Sequence, residues 1–441
     1  MEEAKTSVGM SPGLQRVMER ARRNPRERQF ALAYLIDVEA LRRSYHRLRN
    51  NAAVGVDGVT KEEYGRDLEA NLQGLVARLK AMKYRHQSIR RVHIPKERDR
   101  TRPIGISATE DKIVQGALRE ILEAIYEQDF LDCSHGFRPG RRPHDALKVL
   151  NRAVRKGEAN VILEADIVSF FDSIDRPMLR EMLQERIADK SFMRLVAKCL
   201  HVGVLDGEEF SRPEEGTAQG SVLSPILGNI YLHYALDKWF EEEVKPRLKG
   251  KATLIRFADD LLVTFELRED AEQVMEVLGK RLGRFKLSLH PDKTRLIDFR
   301  RPPVSQTGGK GPGTFDFLGF TVYWRRNRQG RGWHVSWKTR KARLRRAIKT
   351  AYELCRRQRH MSIPEQHKAL VRRIQGHFNY FGVNDNQRSL AALIYHVQRA
   401  WHKWLNRRSQ RSRLNWERFK DLLRDFPFPE PRVYVNLWAK P

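Results

Sequence analysis

Cysteine is nearly absent from this 441-residue chain: Cys133, Cys199 and Cys355 lie far apart and are odd in number. Their spacing excludes a zinc site of paired cysteines and histidines and a disulfide-stapled fold, so a reducing compartment is expected. No run of 18 apolar residues occurs, which excludes a bilayer-spanning helix. The N-terminus begins with Glu2 and Glu3 and lacks an apolar segment, so neither a secretory signal nor an acid-poor transit peptide is expected.

Acids are also in deficit. Asp and Glu total 55 against 84 Lys and Arg, a formal net charge of +29. Self-repulsion of that size opposes compaction unless a polyanion neutralises it. A phosphate backbone does so by releasing counterions. What remains is enough for a folded chain, with 40% hydrophobic and 32% charged residues. The length predicts roughly two to four domains, because single cores stop growing near ~250–300 residues.

Residues 11–50 predict basic helices, with Leu14, Val17 and Met18, then Leu32, Leu35 and Ile36, at helical spacing. NNAAVGVDGVT at 50–60 breaks that pattern and predicts a loop. From 84 to 300, β-forming runs (RRVHIP, NVILEADIV, TLIRFA, LLVTF) alternate with helical ones, an α+β core. PVSQTGGKGPG at 303–313 predicts a loop whose glycines match no phosphate-binding pattern. FDFLGFTVYW at 315–324 predicts a β unit continuing into a hairpin through Gly330. Beyond it, apolar stripes backed by basic faces predict helices: Leu344, Ala347, Ile348, Ala351 and Leu354; Leu390, Leu393, Ile394, Val397, Trp401 and Trp404; and Trp416, Phe419 and Leu423.

The acids that remain are placed conspicuously. In TLIRFADDLLVTF, 253–265, two β runs flank Asp259 and Asp260. Adjacent carboxylates in a buried hairpin repel each other, and burying uncompensated charge is costly. A divalent cation resolves the conflict, since hard oxygen ligands suit magnesium. Taken alone, the pair also fits an Asp-rich surface turn. A second β run, NVILEADIV, ends in Asp166, and pairing of the two runs would set Asp166 opposite Asp259. Such a trio can hold two metal ions ~3.5–4 Å apart for phosphoryl transfer. Phe171 follows five residues later, where an aromatic could exclude a 2′-hydroxyl by a clash, unless Phe170 and Phe171 are both core. In GTAQGSVLSPILGNIYL, Gln219 and Gly220 precede a helix with Ser224 as the expected N-cap and Pro225 at its first position. Such a helix start suits an anion.

These motifs, in this order, resemble those of bacterial group II intron-encoded reverse transcriptases (maturases), over nearly all the chain from residue 40. The likeness includes VGVDGVT at 54–60, IPK at 94–96, RPIGI at 102–106 and CSHGFRPGRRPHDAL at 133–147. It continues through ADIVSFFDSID, GTAQGSVLSPILGNIYL, RFADD, LSLHPDKT at 287–294 and FDFLGF at 315–320. GHFNYFGV at 376–383 and the segment from Trp401 to Phe419 resemble the family's maturase, or thumb, region. The resemblance implies an α+β right-hand polymerase with fingers, palm and a basic α-helical thumb. Residues 1–83 would be an N-terminal helical extension and the start of the fingers, and 84–335 the fingers and palm. Residues 336–405 would be the thumb, and 406–441 a basic C-terminal segment. Many relatives carry a Cys/His nuclease there; residues 420–441 contain neither residue, so none is expected.

Carried across, the resemblance makes Asp166, Asp259 and Asp260 the catalytic ligands of two Mg2+ ions and Phe171 the sugar gate. Gln219 would contact the incoming nucleotide, Lys96 and Arg102 its triphosphate, and Lys293 the leaving pyrophosphate. Arg138, Arg141, Arg142, Arg343, Arg346 and Lys349 would contact template or RNA. Phe257 stands where the family carries tyrosine, which removes a hydroxyl but no ligand. Expected partners are RNA template and primer, dNTPs, group II intron RNA and target DNA, in the bacterial cytoplasm and at the nucleoid when DNA-bound. The implied function is RNA-directed DNA synthesis plus support of intron splicing. Its rivals are a splicing-only maturase, disfavoured by three intact aspartates, and a relative recruited to host defence or DNA repair.

Overall fold

The structure, a computed structural model, describes residues 10–438 apart from 96–100, 208, 212–214, 218, 305–312, 328–331 and 409–413. Three sheets organise the described residues. The first holds β1 (Ile89–Pro95), β2 (Thr101–Ile106), β4 (Val204–Asp206) and β5 (Glu209–Ser211), in the order β2-β1-β4-β5. The central sheet holds β3 (Val161–Asp166), β6 (Ala252–Phe257), β7 (Asp260–Phe265) and β8 (Arg295–Asp298), in the order β6-β7-β3-β8. The third is β9 (Phe315–Phe317), β10 (Phe320–Arg326) and β11 (Trp333–Thr339). The tip expected at Gly330 and most of the 303–313 loop lie outside the described residues.

Strands of the central sheet read as nearly unbroken apolar runs because both faces are covered. Side chains alternate across a strand. Val161, Leu163, Leu261, Val263 and Phe265 therefore enter the largest core, while Ile162, Leu262, Ile255 and Ile297 enter a second one shared with β9–β11. The helix Thr109–Tyr126 is the largest core's centre, with 13 of its 18 residues buried. The N-terminal helices Pro12–Arg23 and Val38–Arg47 pack into that core too. The 50–60 stretch is a loop, as its glycines predict.

Beyond β11, helices Lys341–Arg357, Ile363–Phe381 and Gln387–Leu405 enclose a third core, using the apolar stripes read from the sequence. Trp401 anchors it: its Nε1 donates to the buried Gln366 Oε1 at 3.0 Å. The described residues past 405 do not stand apart. Phe419, in helix Trp416–Asp425, packs on Trp401, and Val435 bridges back to Val383. Among the described residues no helix is long and apolar enough to cross a membrane.

Candidate active site

The β6–β7 hairpin turns at Ala258 and Asp259, and Asp260 opens β7. Ala258 sits at φ 57°, left-handed backbone that an L-residue adopts only under constraint. Gly136 supplies part of that constraint, since a Cβ there would lie 2.2 Å from the Ala258 nitrogen. Asp166 ends β3, and its Cα pairs with that of Asp260, not Asp259 as the spacing suggested. The turn absorbs Asp259, which shifts the pairing by one. Period-two alternation sends Asp166 and Asp260 from the same face, the one carrying Ile162 and Leu262.

The carboxylates are close enough to disturb one another. Burial pushes Asp259 up, and the Asp166 charge adds to it. Burial, then Asp259 and Asp166, pushes Asp260 up to about 6. Asp260 is reachable from solvent, yet the protein crowding around it strips part of its hydration. Asp166 is held by Lys293, whose Nζ lies 2.5 Å from Oδ2. The His290 amide donates to the Asp166 carbonyl at 2.8 Å and brings the HPDK turn to the strand end.

Among the described residues no three His, Cys, Asp or Glu side chains stand as a formed metal cage. The donor set nonetheless fits magnesium. Three hard carboxylates, two of them raised by burial and mutual repulsion, gain from a divalent cation. Magnesium takes one or two carboxylates plus substrate phosphates, so no preformed all-protein cage is required.

Opposite this turn, Arg102 Nε donates to Gln219 Oε1 at 2.8 Å, and Gln219 Nε2 donates to Asp172 Oδ2 at 3.3 Å. The Gln219 carbonyl accepts from the Gly105 amide at 2.6 Å. Gly220, at φ 107°, permits that approach: a Cβ would meet the Gly105 oxygen at 2.6 Å. Lys96 lies outside the described residues. Phe171 is 8% exposed and packs with Phe170 in the largest core, ring centroids 5.1 Å apart. Phe170 is core; Phe171 packs on it but keeps a small exposed fraction, the part from which any clash with a sugar would have to come.

The following helix departs from expectation by one residue. Leu223, not Ser224, occupies its N-cap, and no side chain caps it. Ser221 Oγ and the Val222 amide both donate to the buried Gln115 Oε1 at 3.1 Å, which ties the loop before this helix to helix Thr109–Tyr126.

The reverse transcriptase (RNA-dependent DNA polymerase) family pattern matches residues 94–322, more than half of the chain. Group II intron-encoded protein LtrA of Lactococcus lactis subsp. cremoris is 34% identical over 260 residues, 56% of this chain and 43% of LtrA. Protein YkfC of Escherichia coli K12 is 32% identical over 314 residues, 63% of this chain and 77% of YkfC. The chain belongs to the reverse transcriptase family. It also resembles nuclear intron maturase 2, mitochondrial, of Arabidopsis thaliana, 29% identical over 177 residues, 31% of this chain and 24% of that protein. The chain spans less than half the length of LtrA.

The family's basic residues fall into two groups here. Arg138, expected at the template, is 7% exposed and bonds Glu127 through Nε and Nη2 at 3.0 Å, and the Leu131 and Ser134 carbonyls through Nη1. Its donors are engaged inside the protein, where they tie the 131–138 loop to Glu127. Arg141 pairs with Asp132 at 2.6 Å and stays partly exposed, while Arg142 is exposed at the start of helix Pro143–Arg155. Arg343, Arg346 and Lys349 line the exposed face of helix Lys341–Arg357. Arg343 and Arg346 border a groove of about 310 Å³ with Arg373 and His377, and the Arg343 charge acts on Asp260.

Two features escape sequence reasoning. Phe137 holds φ 60° and is 47% exposed beside the Ala258–Asp259 turn. Arg256, between apolar neighbours in β6, is fully buried on an ion pair with Asp237. No local signal marks either one, because both depend on partners distant in sequence.

Proposed function

We propose that this protein is an RNA-directed DNA polymerase that also binds group II intron RNA, as an intron-encoded maturase does. The observation that carries the proposal is the pairing of Asp166 with Asp260 beside the Asp259 turn, in a chain of the reverse transcriptase family. Two Mg2+ ions bound by Asp166, Asp259 and Asp260 would supply a polarised primer hydroxyl and neutralise the pyrophosphate leaving group. The protein's own side chains do the rest. Arg102, tied to Gln219, presents a cation and an amide to the incoming triphosphate and sugar, with Lys96 as its expected partner. Lys293, at hydrogen-bond distance from Asp166, would neutralise charge or deliver a proton at the pyrophosphate.

Helices 341–405 would serve as the thumb, holding an A-like duplex by its phosphates through Arg343, Arg346 and Lys349. The maturase role draws support from the names of the relatives and from the +29 charge, which a structured RNA would neutralise.

Primer extension on an RNA template tests the polymerase and its sugar gate together. The wild type should prefer dNTPs over rNTPs strongly. Phe171→Val should narrow that preference by ~10-fold or more, the scale of releasing a clash with one small group. Val keeps part of the packing that Ala would lose. Absence of any extension by the wild type counts against the polymerase assignment. An unaltered sugar preference in an active Phe171→Val enzyme counts against the gate alone.

A further inference from the structure

Arg256 is fully buried and held by partners from three chain segments. A guanidinium carries five N–H donors, and here all five are used. Nε and Nη2 grip the two Asp237 oxygens at 2.8 and 2.6 Å. Nη2 also reaches Ser134 Oγ at 2.7 Å. Nη1 reaches Asn229 Oδ1 at 3.0 Å and the Ala258 carbonyl at 3.1 Å. The Arg256 backbone is engaged as well: its amide donates to the Cys133 carbonyl and its carbonyl accepts from the His135 amide, both at 2.8 Å. Asn229 closes the ring, its Nδ2 donating to the Gly136 carbonyl at 2.8 Å.

A buried ion pair is a poor source of stability, because apolar residues of similar volume often serve the fold as well. What an apolar residue cannot do is aim donors at four groups from three chain segments. One of those groups is the carbonyl of Ala258, the left-handed residue immediately before Asp259. Another, Asn229, in turn donates to the carbonyl of Gly136, the glycine pressed against the same turn. Asp237 reaches this spot from a π-helical segment, His233–Asp237, a geometry that recurs at functional sites.

We propose that Arg256, oriented by Asp237 and Asn229, is a positioning residue that fixes the Ala258 carbonyl and so sets where Asp259 and Asp260 present their carboxylates. It touches neither nucleotide nor primer. It acts through the turn, as outer groups do when they orient metal ligands. The inference rests on the polymerase assignment for its meaning, but not for its test.

The test replaces the pair by apolar residues, Arg256→Met with Asp237→Leu, so that no unpaired charge is left buried. Mn2+ alone, without nucleotide, is titrated by electron paramagnetic resonance; melting is followed in parallel, and kcat and the dNTP KM are measured by primer extension. The folded double variant should bind Mn2+ about 10–100-fold more weakly, with kcat reduced on the same scale. The dNTP KM should move by less than ~3-fold, since triphosphate contacts are untouched. Wild-type Mn2+ affinity in a folded double variant overturns the proposal. Should the double variant not fold, Asn229→Ala decides. It leaves the Asp237 ion pair in place and severs both the Arg256 Nη1 bond and the Gly136 tie, so a smaller loss of Mn2+ affinity is expected and an unchanged affinity overturns the proposal. A wild type that binds Mn2+ but extends no primer would sink the polymerase assignment while the Mn2+ comparison still decides the positioning role.

Discussion

DNA synthesis on a primed RNA template should fall at least ~1,000-fold in an Asp259→Ala/Asp260→Ala variant, while RNA binding is kept. The magnitude follows from losing about 4 kcal/mol of transition-state charge stabilisation, at 1.36 kcal/mol per tenfold in rate. The sign for binding is equally definite. In chelator, where no cation occupies the site, removing two negative charges beside a phosphate chain cannot weaken its electrostatic attraction, and the basic helices beyond residue 340 are untouched. The variant should also fold at least as well as the wild type. Asp260 has its folded pKa raised to about 6 by burial and its neighbours. Whatever its protonated form adds to stability is therefore lost as pH rises through 6, and at pH 8 without divalent cations its charge is a liability to the fold. Melting measured at pH 8 in chelator, beside gel-resolved extension and RNA anisotropy, checks all three statements. Extension above a tenth of the wild-type rate would remove these residues from the chemistry.

RNA affinity should fall by about 10³–10⁵ between 50 and 200 mM salt, the range for a protein engaging 6–10 phosphates. The +29 charge and the exposed row of Arg343, Arg346 and Lys349 motivate that count. Arg343→Glu and Lys349→Glu together should lower the slope of log affinity against log salt by about 2, one for each phosphate contact removed. Arg138→Ala should leave the slope unchanged, because its guanidinium is spent on Glu127 inside the fold. Fluorescence anisotropy at four or five salt concentrations would suffice. An affinity loss under tenfold across that range would mean that shape and apolar contacts, and not phosphates, hold the RNA.

Much of the site was legible in the sequence because its residues are local. The apolar runs around Asp166 and Asp259 identified β3, β6 and β7, since a strand covered on both faces can be little else. The helical stripes after residue 340 were equally plain. Register was not legible. Whether the turn takes Ala258-Asp259 or Asp259-Asp260 depends on the left-handed Ala258, which Gly136 and Arg256 impose from elsewhere. The same limit applies to Arg138. An arginine in a Gly- and Arg-rich loop reads as a phosphate contact until Glu127, eleven residues earlier, is seen to occupy it. Helix Thr109–Tyr126 shows the limit at larger scale. It carries charged residues throughout, yet Asp111 and Glu120 lie in the interior, where Tyr84 and Arg43 meet them.

Mn2+ electron paramagnetic resonance on the complex with primer, RNA template and a non-hydrolysable dNTP probes the convergence of Asp166, Asp259 and Asp260 most directly. Two Mn2+ per protein should bind in the wild type, and replacement of Asp166 or Asp259 by alanine should abolish one or both. Undiminished binding of two ions when all three positions are alanine would contradict the account at its base.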